Sequence, residues 1–168
     1  MDNQLLETIH KKLTEHFGAD IISAQMERDF PCFVVKKEKT VEVIRFLYDN
    51  PELEFQFLTS LCGIHFPDHK GAELGVVYQL HNMRKNWRIR LKTFSAITHP
   101  DFPSTTSIFS AANWLERETY DFYGTVFTGH PNLKRILNMD EMNYFPLRKE
   151  YPLEDGSRED KDNSMFGR

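Results

Sequence analysis

Leu74-Gly75-Val76-Val77-Tyr78-Gln79-Leu80, then Asn82-Met83-Arg84-Lys85-Asn86, then Trp87-Arg88-Ile89-Arg90-Leu91-Lys92, is the stretch whose reading decides the fold. Leu74, Val76, Tyr78 and Leu80 recur every second residue, the polar run turns the chain, and Trp87, Ile89 and Leu91 alternate back. A period of two places these side chains on one face of two strands, with Arg88, Arg90 and Lys92 on the other. The pair is antiparallel with one wet side, so a sheet organises the molecule. Upstream, Leu53, Phe55 and Phe57 alternate with Glu52, Glu54 and Gln56, which predicts a half-buried strand over about 53–62. Ile21–Met26 and Cys32–Val35, interrupted by Arg28-Asp29-Phe30-Pro31, read as a hairpin.

Helices flank this sheet. Leu6, Ile9, Leu13 and Phe17 keep helical spacing up to Gly18, which predicts a helix over 2–17. Val41, Ile44, Leu47 and Tyr48 do so until Asn50-Pro51, which predicts a second over 38–49. Residues 95–107 read as a loop leading to a third helix from Thr106 or Ser107, with Ile108, Ala111, Leu115 and Phe122 on one stripe. The expected class is α+β, a two-layer domain of helices packed on a mostly antiparallel sheet. That domain occupies 1–128.

After Gly124 periodicity is lost. Gly129, Pro131, Pro146 and Pro152 interrupt every window, and Leu133, Ile136, Leu137, Tyr144, Phe145 and Tyr151 stand singly. So long a stretch without secondary structure is uncommon inside a domain, and a purely solvating tail has little use for aromatics, so 129–168 reads as an extended arm laid on a partner.

Composition narrows the function. The chain has 168 residues, one domain's worth, with 40% hydrophobic and 27% charged residues. Aromatic residues reach 13%, including 14 Phe, which favours anchors against a partner as well as in the core. Lys and Arg total 21 against 25 Asp and Glu, for a net charge of −4, so no global basic field exists to hold nucleic acid or an anionic membrane. The basic strip Arg88, Arg90, Lys92 is separated from Trp87 by strand alternation, which argues against nucleic-acid stacking there. No apolar run is long enough to span a bilayer, and the polar start Met1-Asp2-Asn3-Gln4 is unlike a signal sequence, so a cytoplasmic location is expected. Cys32 and Cys62 are too few for a cluster or a structural zinc, and in a reducing compartment they read as small buried hydrophobes.

Two candidate chemistries remain. Glu116 and Glu118 are two positions apart on a helix and cannot face each other as a catalytic dyad. Glu118 and Arg117 can each share a face with Asp121. The usual reading of such a run is a solvated face, but Trp114, Tyr120, Phe122 and Tyr123 interleave it, so desolvated carboxylates would need a partner, with Arg117 the nearest. His65-Phe66-Pro67-Asp68-His69 offers three metal donors in a loop, without the helix that would stack the histidines, and its bland reading is a polar strand connection. Neither a phosphate-binding loop, a dinucleotide fingerprint nor a nucleophile elbow occurs.

The run Glu116-Arg117-Glu118-Thr119-Tyr120-Asp121-Phe122-Tyr123-Gly124, continued through His130-Pro131-Asn132-Leu133-Lys134-Arg135-Ile136-Leu137, resembles the C subunit of respiratory complex I, the proton-pumping NADH:quinone oxidoreductase. Pro146-Leu147-Arg148-Lys149-Glu150-Tyr151-Pro152 resembles that family's second element, where the acid is commonly Asp. Trp114 and the 57–63 strand also fit, so the resemblance covers 1–155. It implies a non-catalytic structural subunit of the peripheral arm, on the cytoplasmic side of the cell membrane, whose tail wraps the D subunit, a protein like the hydrogenase large subunit, beside the quinone site. Glu116, Arg117, Glu118, Asp121, Gly124, His130, Pro131, Lys134, Arg135, Pro146, Leu147, Arg148, Lys149, Tyr151 and Pro152 would then be interface positions. No catalytic residue, metal or cofactor is expected in this chain, with NADH, FMN, iron–sulfur clusters and quinone held elsewhere in the complex. The alternatives are a related subunit of a membrane-bound hydrogenase or other-donor complex, and a stand-alone metal enzyme using the His65–His69 loop.

Overall fold

The structure, a computed structural model, describes residues 2–151. Helix α1 (Asp2–Phe17) buries Leu5, Ile9 and Leu13, and Gly18 with φ 50° ends it where a side chain would be strained. Helix α2 (Thr40–Asp49) buries Val43, Ile44 and Leu47 and stops at Asn50, whose N–H donates to the Phe46 carbonyl. Both cover one face of a five-stranded sheet built from β1 (Ile21–Glu27), β2 (Phe30–Val35), β3 (Phe57–His65), β4 (Leu74–Asn82) and β5 (Trp87–Ser95). The order is β1-β2-β5-β4-β3, antiparallel throughout except where β2 runs parallel to β5. Phe33, Val35, Leu61, Val76, Tyr78, Leu80, Ile89 and Leu91 form the core between sheet and helices. Helices on a mostly antiparallel sheet make the α+β class.

Several expected boundaries move, each for a local reason. The alternation at Leu53 and Phe55 is real, and both side chains are fully buried, but it is not strand. The N–H groups of Leu53 and Glu54 donate to Asn50 and that of Phe55 to Leu47, so the residues plug the end of α2 and the strand begins at Phe57. The hairpin turn is only Arg28-Asp29, with Phe30 and Pro31 inside β2. Pro31 pairs with Met26 of β1, but pairing with β5 starts only at Cys32, so on that side a missing N–H breaks no ladder. The expected loop over 95–107 contains β6 (Asp101–Pro103), parallel to β7 (Val126–Thr128).

The third helix, α3, spans Ala112–Tyr123, five or six residues later than the cap rule predicts. Thr106 Oγ1 is hydrogen-bonded to Ser104 Oγ and Ser107 Oγ accepts from Arg45, so neither hydroxyl caps the helix, and residues 105–111 form turns instead. On the sheet face away from α1 and α2, Arg90 and Lys92 both donate to Glu27, so two of the three basic side chains of the strip are engaged within the chain. Cys32 is buried, as expected of a small hydrophobe, whereas Cys62 is exposed. Among the described residues no helix is long and apolar enough to cross a membrane.

Candidate docking site on the third helix

Helix α3 carries charges into the interior. Glu116, Arg117 and Asp121 are buried on it; residues 104–105 satisfy Glu116, and residues 134–138 satisfy both Arg117 and Asp121. Ser104 Oγ donates to Glu116 Oε2 at 2.7 Å, and Thr105 donates to Oε1 through its N–H at 2.7 Å and its hydroxyl at 2.8 Å. Burial pushes the Glu116 carboxyl above its usual range, partly offset by these donors.

Arg117 does not serve as the partner of these carboxylates, contrary to the sequence expectation. Its guanidinium lies over Trp114, 5.4 Å from the ring centroid, and donates to the carbonyls of Lys134 and Arg135 at 3.2 and 3.1 Å. The ion pair is instead Arg135 with Asp121, at 2.7 Å and nearly sealed from solvent. The two carbonyls and the Trp114 ring stand where a carboxylate partner was expected.

Asp121 organises the segment that follows. Its Oδ1 accepts from Arg135 and from Asn138 Nδ2, and its Oδ2 accepts from three successive backbone N–H groups, those of Ile136, Leu137 and Asn138, at 3.1, 2.8 and 2.9 Å. Burial alone would raise its pKa, but the Asn138 and Leu137 amides and the Arg135 guanidinium outweigh it and hold the carboxyl well below the usual carboxylate range. Arg135 also donates to the carbonyls of Met142 and Tyr144. One carboxylate thereby fixes about ten residues that have no ladder of their own.

A second anchor lies at the helix end. Gly124 caps α3 with φ 72°, its N–H donating to Tyr120, and a Cβ there would strike Phe145 and Arg148. Arg148 Nε donates to the Tyr123 carbonyl at 2.7 Å, and the Phe145 ring lies between the Arg135 and Arg148 guanidinium groups at 5.2 and 4.7 Å. The N–H of Leu147 donates to Phe122, and that of Lys149 to His65 Nδ1 across 84 positions of sequence. Nearer the start of the helix, His130 Nε2 donates to the Asn113 carbonyl while its Nδ1 accepts from Asn132.

The structure therefore gathers Arg117, Asp121, Gly124, Arg135, Leu147, Arg148 and Lys149 around α3, with Lys134 contributing its carbonyl and His130 joining from the helix start. Residues 129–151 contain no helix or strand and lie on their own domain, tied to α3 and β3. Pro131, Lys134, Lys149 and Tyr151 are exposed and Pro146 half-buried. Pro152 lies outside the described residues. Glu118 points away from this knot into a groove beside β3.

Ser104, Thr105 and Asn138 escaped the sequence reading as functional positions, because polar loop residues carry no period. The His65–His69 loop does not assemble a metal site. His65 is buried with Nδ1 taken by Lys149, His69 stacks on Phe66, and no group of three potential ligands comes together among the described residues.

Outside the anchors, the segment presents apolar side chains to solvent. Leu137 and Met139 are 64% and 69% exposed, Tyr144, Leu147 and Tyr151 are also exposed, and Trp114 adds its ring from α3. Such groups, held by a buried polar knot, make this face a candidate docking surface.

A family model described as the respiratory-chain NADH dehydrogenase 30 kDa subunit matches residues 33–157. The chain belongs to this family. The C subunit of the NADH-quinone oxidoreductase of Streptomyces coelicolor is 44% identical over 128 residues, covering 76% of this chain and 51% of that protein. The C 2 subunit of the Rhizobium etli enzyme is 38% identical over 142 residues, covering 84% of this chain and 74% of the relative. The chain thus spans about half the length of the Streptomyces relative and about three quarters of the rhizobial one. Among solved structures, the trypsin-resistant fragment (1-134) of Nqo5 superposes with a TM-score of 0.62 at 26% identity, covering 78% of this chain and 98% of the fragment. A chain from a membrane-bound sulfane sulfur reductase, an archaeal respiratory membrane complex, shares the fold with a TM-score of 0.71 at 24% identity, covering 88% of this chain and 85% of that one.

Proposed function

We propose that this chain is a structural subunit of a proton-translocating NADH:quinone oxidoreductase, placed in the peripheral arm on the cytoplasmic side of the membrane. Its task is to hold the hydrogenase-like D subunit near the quinone site. It carries no active site or redox group of its own, and NADH, FMN, iron–sulfur clusters and quinone belong to other chains.

The observation that carries this reading is the Asp121 knot. A buried carboxylate and two guanidinium groups are spent on fixing 135–148, and what they fix is a surface of exposed Leu137, Met139, Tyr144 and Leu147. A chain that needed the segment only for stability would turn those side chains inward. Positioning alone is a sufficient contribution, because misplacing reacting partners by about 1 Å can cost roughly 10²-fold in rate.

The test is a pull-down of N-terminally tagged protein from mildly solubilised native membranes, with mass spectrometry of what is retained. Recovery of a hydrogenase-like large subunit, cluster proteins and membrane subunits is expected, and the donor module among them separates an NADH-driven complex from one with another donor. Recovery of the tagged chain alone would refute the docking role.

A further inference from the structure

Strand β3 is an edge of the five-stranded sheet, with β4 as its only strand neighbour among the described residues. Alongside it runs a groove of about 220 Å³, floored by Leu61, Leu115, Phe122 and Tyr123. Leu147 also lines it, held by its N–H to the Phe122 carbonyl. Glu118 lines the groove half-exposed and makes neither an ion pair nor a hydrogen bond among the described residues, unlike Glu116 and Asp121 on the same helix. Cys62 opens onto the same groove with its side chain exposed.

We infer that this groove is a docking site for an extended segment of a partner protein that adds a strand to the edge of β3 and sets a lysine or arginine against Glu118. Three features of the site fit that occupant and no compact one. An edge strand offers backbone donors and acceptors in a row, which an extended peptide satisfies and a helix does not. The apolar floor accepts alternate side chains of such a strand. The lone carboxylate on the wall selects a basic residue, since desolvating it against a neutral segment would leave a charge without a partner. The inference rests on the docking role proposed above and adds where and by what the partner is held.

Cys62 reports on occupancy, with buried Cys32 as an internal reference. The purified full chain and the complex retained by the tag are treated with N-ethylmaleimide, and the Cys62 peptide is followed by mass spectrometry. Alkylation in the complex should be roughly tenfold slower, because it follows thiol exposure, and amide exchange over 58–62 should slow with it. Glu118 has no bond within the described residues to lose, so Glu118→Lys should fold normally and either return Cys62 to the rate of the free chain or lose the partner proteins.

Equal alkylation rates in the free chain and in a complex that retains its partners would overturn the groove assignment and leave the docking role standing. Protection of Cys62 without slowed exchange over 58–62 would overturn strand addition, and full protection persisting in Glu118→Lys would overturn the basic partner. A chain that retains no partner at all refutes the docking role itself.

Discussion

Replacing Asp121 by alanine should release the arm and leave the domain folded. The carboxylate is fully buried and its partner Arg135 nearly so, and removal of one member of such a pair costs about 3–5 kcal/mol because the other charge is left uncompensated. The N–H groups of Ile136, Leu137 and Asn138 lose their acceptor at the same time. The molecule has an escape that a core ion pair lacks: 135–148 can lift off α3 and hydrate Arg135, so the loss appears as undocking rather than as global unfolding. At about 1.4 kcal/mol per tenfold, hydrogen-exchange protection at 136–138 should fall by roughly 10²–10³, while that of β4 and β5 stays unchanged. Asp121→Asn keeps an acceptor without the charge and should give an intermediate loss. The native carboxyl titrates below its unfolded value of about 3.9, so its contribution is complete above that pH and disappears only as the pH falls through the depressed native value. Unchanged protection at 136–138 in Asp121→Ala would refute the reasoning.

The remaining expectations concern neighbouring sites. Glu27, whose pKa is lowered to about 2 because Lys92, Gln25 and Arg90 outweigh burial, contributes stability above the unfolded value of about 4.3 and loses it between there and its native value. The melting temperature of Glu27→Gln should therefore lie below wild type at pH 7 and meet it near pH 2. Glu116 shifts the opposite way, so Glu116→Gln should be close to neutral or stabilising at pH 7 by thermal melting, whereas Glu116→Ala, which strands the buried Thr105 N–H, should cost about 1–3 kcal/mol in urea unfolding. Gly63→Ala drives a Cβ into the Tyr123 ring and should cost about 1–3 kcal/mol by the same assay, with a smaller cost when Tyr123 is already Ala.

Periodicity made the sheet and the first two helices legible, because burial on one face repeats with the backbone. It failed where side chains, not ladders, hold the chain. At Leu53 and Phe55 the alternation was produced by a plug on α2, and the expected caps Thr106 and Ser107 are bonded to Ser104 and Arg45 instead. The docking site was half visible. Its charged residues stood out in Glu116–Asp121 and Pro146–Tyr151, but their pairing did not, since spacing along α3 favoured Arg117 for Asp121 while Arg135, 14 positions on, takes the place. A contact made through tertiary folding leaves no trace in local spacing. For the same reason the loss of periodicity after Gly124 passed over β7 and did not reveal that 129–151, which contain neither helix nor strand, are bound to their own domain.

The most direct measurement of the central claim is the yield of the hydrogenase-like large subunit retained by the tagged chain, compared between wild type and Asp121→Ala at equal expression and equal circular dichroism. The docking account predicts stoichiometric recovery with wild type and loss with the variant, because the surface presented by 135–148 exists only while Asp121 holds it. Equal recovery from both would contradict it.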